Sequence, residues 1–198
     1  MNKELIIFID SGDTLIDEST EIKDSDGTVL HSQMIEGARE TLVTLYESGY
    51  TIALVADGTK QSFDNIYNEN GLDYCFKAKA ISGELGKEKP APIMFQHAME
   101  QLGLTEKDKS RIVMIGNNLE RDIVGANRMG ITSILISYSP RYVMQPKCEE
   151  EIPDYVVSKP IELLGLLEQL NLQVKNRKIL TNSDTPLYRK PSNKSTEV

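Results

Sequence analysis

The sequence predicts an α/β protein built on a doubly wound parallel sheet. Six short apolar runs recur along the 198 residues, and several are nearly continuous and rich in β-branched residues, as expected for strands buried on both faces. Segments with a helical spacing of apolar residues separate these runs, and most of them end at a glycine, which commonly follows the last turn of a helix. Strands therefore alternate with helices, as is typical of a parallel sheet covered by helices.

The predicted elements follow one another in chain order. The strands lie at residues 5–9, 51–55, 78–81, 111–115, 131–136 and 154–157. The helices lie at residues 36–49, 61–71, 91–103, 120–130 and 161–170. We expect them to form one domain over residues 1–172, because a chain of this length can bury a substantial core.

Two segments fall outside this alternation. Between the first strand and the first helix, Asp26 and Gly27 stand between two strand-like pieces, which predicts a β-hairpin flap at about residues 18–33. Residues 173–198 carry six Lys or Arg and two acidic residues without apolar periodicity. We expect them to form a disordered basic tail.

Composition and charge disfavour several functional classes. The net charge of −8 argues against a nucleic acid or an anionic membrane surface as partner. No apolar run approaches the ~20 residues that span a bilayer, and the first residues lack the pattern of a signal peptide. Cys75 and Cys148 stand in no paired motif, so we expect neither a disulfide framework nor a zinc site. The sequence thus predicts a cytoplasmic protein and leaves its oligomeric state open.

Polar residues follow the predicted strands at their carboxyl ends, where ligands bind in open α/β sheets. They are Asp10, Gly12, Asp13 and Thr14 after the first strand, Asp57 and Gly58 after the second, Lys89 after the third, and Asn117 and Asp122 after the fourth. Carboxylates, hydroxyls, an amide and a lysine would therefore converge on one edge of the sheet. That set suits an aspartyl nucleophile attacking phosphorus, with the lysine and a metal ion balancing charge.

Over roughly residues 4–137 the chain resembles the haloacid dehalogenase-like (HAD) hydrolase superfamily, whose members are mostly phosphatases. The stretch DSGDTL implies that Asp10 is the nucleophile and that the Thr14 hydroxyl orients it. The stretch EKPAP implies that Lys89 holds the nucleophile and the phosphoryl charge together, and GNNLERD implies that Asp122 supports a metal. The resemblance also implies a Rossmann-like core and Mg²⁺ as cofactor, with the metal set Asp10, Gly12, Asn117 and Asp122.

Three positions depart from the superfamily pattern. Gly12 stands where these phosphatases usually carry the acid that protonates the leaving oxygen, and loss of such an acid costs about 10²–10⁴-fold in rate. Ala56 lacks the usual hydroxyl, which leaves the main-chain N–H groups of Asp57 and Gly58 to bind phosphate. Asn117 replaces a direct carboxylate ligand and would hold Mg²⁺ less strongly. One hypothesis is that Asp13 or Asp57 takes over proton transfer or metal support.

The sequence predicts a phosphomonoester hydrolase that forms an aspartyl phosphate on Asp10, with weak or detuned activity. The segments between the motifs have room only for the flap and single helices, so we expect no separate cap domain and an open site for a phosphorylated small molecule or macromolecule. The loop after the fifth strand places Tyr138 or Arg141 near that site or on the surface. Two alternatives stay open: a non-catalytic binder of a phosphorylated ligand or partner, and a haloacid dehalogenase.

Overall fold

The computed structural model describes the backbone of residues 3–139 and 141–183, with side chains to residue 178. Its strands are β1 (Ile6–Ile9), β2 (Ile16–Lys23), β3 (Val29–Met34), β4 (Thr51–Ala56), β5 (Ala78–Ile81), β6 (Ile112–Gly116), β7 (Thr132–Ile136) and β8 (Tyr155–Val157). Six of them form one parallel sheet in the order β5-β4-β1-β6-β7-β8. The prediction of a parallel α/β sheet is therefore confirmed.

The helices connect the strands and cover the sheet. They are α1 (Ala38–Glu47), α2 (Lys60–Glu69), α3 (Ser82–Leu85), α4 (Pro92–Gln101), α5 (Val124–Met129) and α6 (Glu162–Ser183). Local chemistry explains several of their starts: the Thr59 side chain accepts a hydrogen bond from the Ser62 N–H ahead of α2, and Pro92 occupies the first position of α4. A π-helical turn at Leu119–Ile123 precedes α5.

The core has two layers, one on each face of the sheet. Side chains of β1 alternate between them: Ile7 and Ile9 pack in the layer that contains residues of α1, α2 and α6, whereas Ile6 and Phe8 pack in the layer that contains residues of α4 and α5. Such alternation follows from the two-residue period of a strand. Because β1 is buried on both faces, its carboxyl end is rigidly placed at the centre of the sheet.

The hairpin predicted after the first strand is present as the antiparallel pair β2–β3. Gly27 adopts a φ of 83° in its turn, a conformation that glycine reaches without steric cost. Between β1 and β4 the described chain contains only this flap and α1 as regular elements, and between β4 and β5 only α2 and a short 3₁₀ turn. The Val29 N–H of β3 donates to Ser62 Oγ at 3.0 Å, which places the flap beside the start of α2 at the carboxyl edge of the sheet.

The chain end differs from the prediction of a disordered tail from residue 173, because α6 continues to Ser183. Val174 packs against the core, and Lys178 forms an ion pair with Glu4, so tertiary contacts extend the helix beyond its apolar pattern. Residues 184–198 of the predicted tail lie outside the described residues. Within the described part of the chain, no helix combines the length and apolar character needed to cross a bilayer.

Candidate active site

Six residues predicted from the sequence line one small cavity at the carboxyl edge of the sheet. The cavity measures about 50 Å³, and these six are Asp10, Gly12, Asp57, Lys89, Asn117 and Asp122. Five of them follow β1, β4 or β6, and because β1 lies between the other two strands these residues stand side by side. Lys89 follows β5, the edge strand beside β4, and its N–H donates to Asp57 Oδ1 at 3.0 Å. The Asp10 N–H donates to Ile115 O at 2.9 Å and extends the β1–β6 ladder by one residue, which fixes the backbone at Asp10.

Lys89 lies beneath this cavity and joins two carboxylates. Its Nζ is 2.6 Å from Asp10 Oδ1 and 2.7 Å from Asp122 Oδ1, and it also donates to Val55 O at 2.8 Å. The residue is only 4% exposed. Burial on its own lowers the pKa of the Lys89 ammonium, but the carboxylates around it raise that pKa above its ordinary value. Lys89 is therefore a fixed positive charge at the base of the site.

The Asp10 carboxylate is held on two sides and still lines the cavity. Lys89 binds Oδ1, and the fully buried Thr14 directs its hydroxyl towards Oδ2 at 3.4 Å. The structure thus brings the predicted nucleophile, its orienting hydroxyl and its lysine together. A carboxyl oxygen atom beside a cationic partner at the edge of a cavity has the arrangement of a covalent nucleophile.

Asp122 and Asn117 lie on the β6 side of the site. Asp122 is 1% exposed and accepts a hydrogen bond from Asn118 N–H through Oδ2 at 3.0 Å. Its burial raises the pKa of the Asp122 carboxyl, and the neighbouring Lys89 ammonium opposes that shift. Asn117 is 2% exposed, and its Nδ2 lacks a hydrogen-bond partner among the described residues. An unpaired buried amide facing a polar cavity is the arrangement expected where a ligand completes the site.

Asp57 and Gly58, the two predicted site residues after β4, differ in their hydrogen-bond partners and in the cavity that they line. Asp57 accepts a hydrogen bond from Lys89 N–H at 3.0 Å through Oδ1, and its Oδ2 lies 3.5 Å from Arg121 Nη1. Burial raises the pKa of the Asp57 carboxyl. The Gly58 N–H instead donates to Ser82 Oγ at 2.9 Å, so it is not available as the predicted phosphate donor. Gly58 lines a neighbouring cavity rather than the one around Asp10.

Asp13 does not line the cavity around Asp10, and its φ of 48° lies in the left-handed region that Asp tolerates. One of its carboxylate oxygen atoms accepts a hydrogen bond from Glu18 N–H at 3.1 Å, and the other lies 2.8 Å from Arg141 Nε. Asp13 therefore anchors the flap. Of the two acids considered for a rearranged site, only Asp57 lines the cavity.

Four cavity residues were missed by sequence reasoning: Glu18, Asn118, Arg121 and Tyr142. Arg121 stands inside the GNNLERD stretch, where a basic side chain beside a predicted anion site was the available signal. Glu18 and Tyr142 reach the cavity from the flap and from the loop after β7, and their position depends on tertiary structure alone. Of the loop residues considered, Arg141 contacts Asp13 and Glu18, whereas Tyr138 lines a different cavity.

The cavity offers oxygen donors of the kind that Mg²⁺ prefers. Asp10 supplies a carboxylate, Asn117 an amide oxygen and Gly12 a main-chain carbonyl, and all three residues line the same space. Asp122 stands behind them with one oxygen atom at Lys89 and the other at Asn118 N–H, which suits a supporting role. Among the described residues no group of three His, Cys, Asp or Glu has metal-binding geometry. The set fits Mg²⁺ with little negative charge among its ligands.

Comparison with known proteins identifies the family of the chain. A family model described as haloacid dehalogenase-like hydrolase matches residues 8–136. The glyceraldehyde 3-phosphate phosphatase of Methanopyrus kandleri is 32% identical over 130 residues, which are 66% of this chain and 54% of that protein. The N-acylneuraminate-9-phosphatase of Mus musculus is 29% identical over 148 residues, which are 74% of this chain and 57% of that protein.

A solved structure extends the comparison. The putative HAD-hydrolase YfnB from Bacillus subtilis, described as bound to magnesium, superposes with a TM-score of 0.60 at 25% identity, over 68% of this chain and 56% of that chain. The present chain spans about half the length of the curated relatives that it matches. The residues that the family model matches, 8–136, include nine of the ten residues that line the cavity around Asp10.

Proposed function

The chain belongs to the haloacid dehalogenase-like hydrolases, and from that premise we propose that it hydrolyses phosphomonoesters through an aspartyl phosphate on Asp10. The observation that supports this most directly is the position of the Asp10 carboxylate, which lines the cavity while Lys89 holds it at 2.6 Å. The relatives named as phosphatases support the same reaction type.

In the proposed first step, the Asp10 oxygen attacks phosphorus and the bond from phosphorus to the leaving oxygen breaks. Lys89 offsets the negative charge that Asp10 and the phosphoryl oxygen atoms carry together. Water then attacks the phosphorus of the aspartyl phosphate, which releases inorganic phosphate and restores Asp10. Asp122 keeps the Lys89 ammonium in place through their contact at 2.7 Å.

We also assign Mg²⁺ as the cofactor, held by Asp10, Asn117 and the main chain of Gly12, with Asp122 as support. When bound, the ion would supply positive charge for the phosphoryl oxygen atoms. The neutral amide of Asn117 lowers the charge of the ligand set, so the proposed affinity is weak. Arg121, with a half-exposed side chain at the mouth of the cavity, adds a second cation that would contact the phosphoryl group.

The proposed substrate is a phosphorylated small molecule, as the names of the curated relatives suggest. A phosphorylated macromolecule remains the alternative that an open site would allow. The proposed location is the cytoplasm.

The test is a panel of phosphomonoesters and one haloacid, assayed with and without Mg²⁺ for release of phosphate or halide. The parent protein should release phosphate, and Asp10→Asn should fall below detection while keeping its fold by circular dichroism. Asp26→Asn, which alters an exposed carboxylate in the turn of the flap, is the matched control and should behave like the parent. Phosphate release by Asp10→Asn at the parent rate, or release of halide alone, would overturn the proposal.

A further inference from the structure

The space beside Gly12 is occupied by the side chain of Glu18. A Cβ atom placed on Gly12 would lie 1.8 Å from Glu18 Oε1 and 2.7 Å from Glu18 Cδ, so both cannot occupy that volume. Gly12 does not have the positive φ that favours glycine, so its backbone would accept a side chain if Glu18 moved. The Glu18 carboxylate, which belongs to the flap, therefore occupies the volume that a side chain on residue 12 would fill.

Two contacts hold Glu18 in this position. Its N–H donates to Asp13 Oδ1 at 3.1 Å, and its Oε2 lies 2.8 Å from Arg141 Nη1. The backbone and the carboxylate of Glu18 are thus each held by a different residue. A side chain placed in this way is preorganised rather than free to rotate.

Glu18 also stands at the junction of two cavities. One is the cavity of about 50 Å³ around Asp10, and the second measures about 210 Å³ between the flap and the start of α2. Gly12, Glu18 and Asp57 line both cavities. A leaving group that extends from a phosphoryl group beside Asp10 into the larger cavity would pass Glu18, which lines both cavities.

We propose that Glu18 is the catalytic proton donor and acceptor of this site, in place of a side chain at residue 12. The inference rests on the proposed phosphomonoester hydrolysis. As the phosphorus–oxygen bond to the leaving group breaks, the Glu18 carboxylic acid gives its proton to the leaving oxygen and becomes a carboxylate. In the second step the carboxylate takes a proton from the attacking water, the bond between phosphorus and Asp10 breaks, and Glu18 is again protonated.

Leaving-group dependence separates this role from a structural one. An alkyl phosphate such as glycerol phosphate needs protonation of its leaving oxygen, whereas p-nitrophenyl phosphate leaves as a stable anion. Glu18→Gln should therefore lower kcat/KM, which reports the steps up to cleavage of the bond to the leaving oxygen, about 10²–10⁴-fold for the alkyl ester and less than about 10-fold for the nitrophenyl ester. Glu40→Gln, which alters an exposed carboxylate on α1, should leave both rates unchanged.

A relocation variant provides a second test. Glu18→Ala empties the volume beside residue 12, and Gly12→Asp added to it puts a carboxylate there from the other side. On the alkyl ester, the double variant should be at least about 10-fold more active than Glu18→Ala. This gain is part of the ~10²–10⁴-fold that a proton donor contributes. Gly12→Asp alone should bring no gain, because Glu18 already fills the space.

The outcomes separate a failure of the Glu18 role from a failure of the proposed hydrolysis. If Asp10→Asn abolishes turnover but Glu18→Gln lowers kcat/KM equally for both esters, or for neither, the role of Glu18 is wrong and the proposed function stands. Failure of the double variant to recover activity, with a parent-like melting temperature, also counts against it. If the parent releases no phosphate from either ester, both proposals fall.

Discussion

The Lys89 ammonium lies 2.7 Å from an Asp122 carboxylate oxygen, and both side chains are almost completely buried. Removing charges from water is expensive, and mutual attraction repays that cost only when every charge keeps its partner. Here two buried carboxylates, those of Asp10 and Asp122, share one ammonium. The site is therefore sensitive to the loss of the lysine in both chemistry and folding.

We expect Lys89→Met to lower kcat by about 10²–10³-fold, since a fixed charge at the phosphoryl position is lost. The same variant should lose roughly 3–5 kcal/mol of unfolding free energy at neutral pH, because it leaves buried carboxylates without a counterion. Lys87→Met, at an exposed position two residues earlier, is the control and should change neither quantity. Steady-state kinetics measures kcat, and urea unfolding measures the free energy of unfolding.

The deficit of Lys89→Met should shrink as the pH falls. Burial raises the pKa of the Asp122 carboxyl, and loss of Lys89 removes the charge that opposes this shift. The folded variant then binds a proton more readily than the unfolded chain, so its stability rises relative to the parent on going from pH 8 towards pH 5. A constant difference in unfolding free energy across that range would contradict the shared-ammonium arrangement.

Asn117 supplies the second prediction, which concerns the metal. Asn117→Asp adds a negative charge to the proposed ligand set and should tighten Mg²⁺ binding about tenfold, or roughly 1.4 kcal/mol. Without metal the new carboxylate faces Asp10 and should lower the melting temperature. With Mg²⁺ the variant should gain more thermal stability than the parent, because ligand binding to the folded state stabilises it by mass action. Equal Mg²⁺-induced shifts in calorimetry would place the metal elsewhere.

Sequence reasoning identified the parts of the site that regular structure places. Asp10, Lys89 and Asp122 each follow an apolar run, and the carboxyl ends of parallel strands meet at one edge whatever the loops do. The strands themselves were predictable because burial on both faces leaves nearly continuous apolar runs. The hairpin was predictable from Asp26 and Gly27, since few residue pairs suit so tight a turn.

The remaining parts depend on contacts between distant segments. Glu18 reaches the cavity because Asp13 and Arg141 hold the flap, and Arg141 is more than 120 residues away in sequence. The Gly58 N–H is not available to a substrate because it donates to Ser82 Oγ. The local sequence does not reveal this contact. α6 extends beyond its apolar pattern because Val174 packs against the core and Lys178 forms an ion pair with Glu4.

The anchoring of the flap by Arg141 gives the third prediction. Arg141→Gln removes the cation that contacts both Asp13 and Glu18 at 2.8 Å. We expect faster amide hydrogen exchange across β2 and an unfolding free energy lower by about 1–3 kcal/mol, since the Asp13 carboxylate is buried and loses its partner. Lys147→Gln breaks an exposed ion pair with Glu120 and should cost less than about 1 kcal/mol. Equal costs for the two variants would show that Arg141 is only a surface residue.

Tyr67 supports the segment that carries Asp10 from below and gives the last prediction. Its hydroxyl lies 2.9 Å from Ser11 Oγ, and both groups are buried. Tyr67→Phe keeps the ring but leaves the Ser11 hydroxyl without this partner, which should cost about 1–3 kcal/mol in unfolding free energy. Tyr46→Phe removes an exposed hydroxyl and should be neutral. Ser11 adjoins Asp10 but does not line its cavity, so Tyr67→Phe should lower kcat by less than about tenfold. Removing a charged group of the site should instead lower kcat by ~10²-fold or more. A large kcat loss with unchanged stability would instead make Ser11 part of the chemistry.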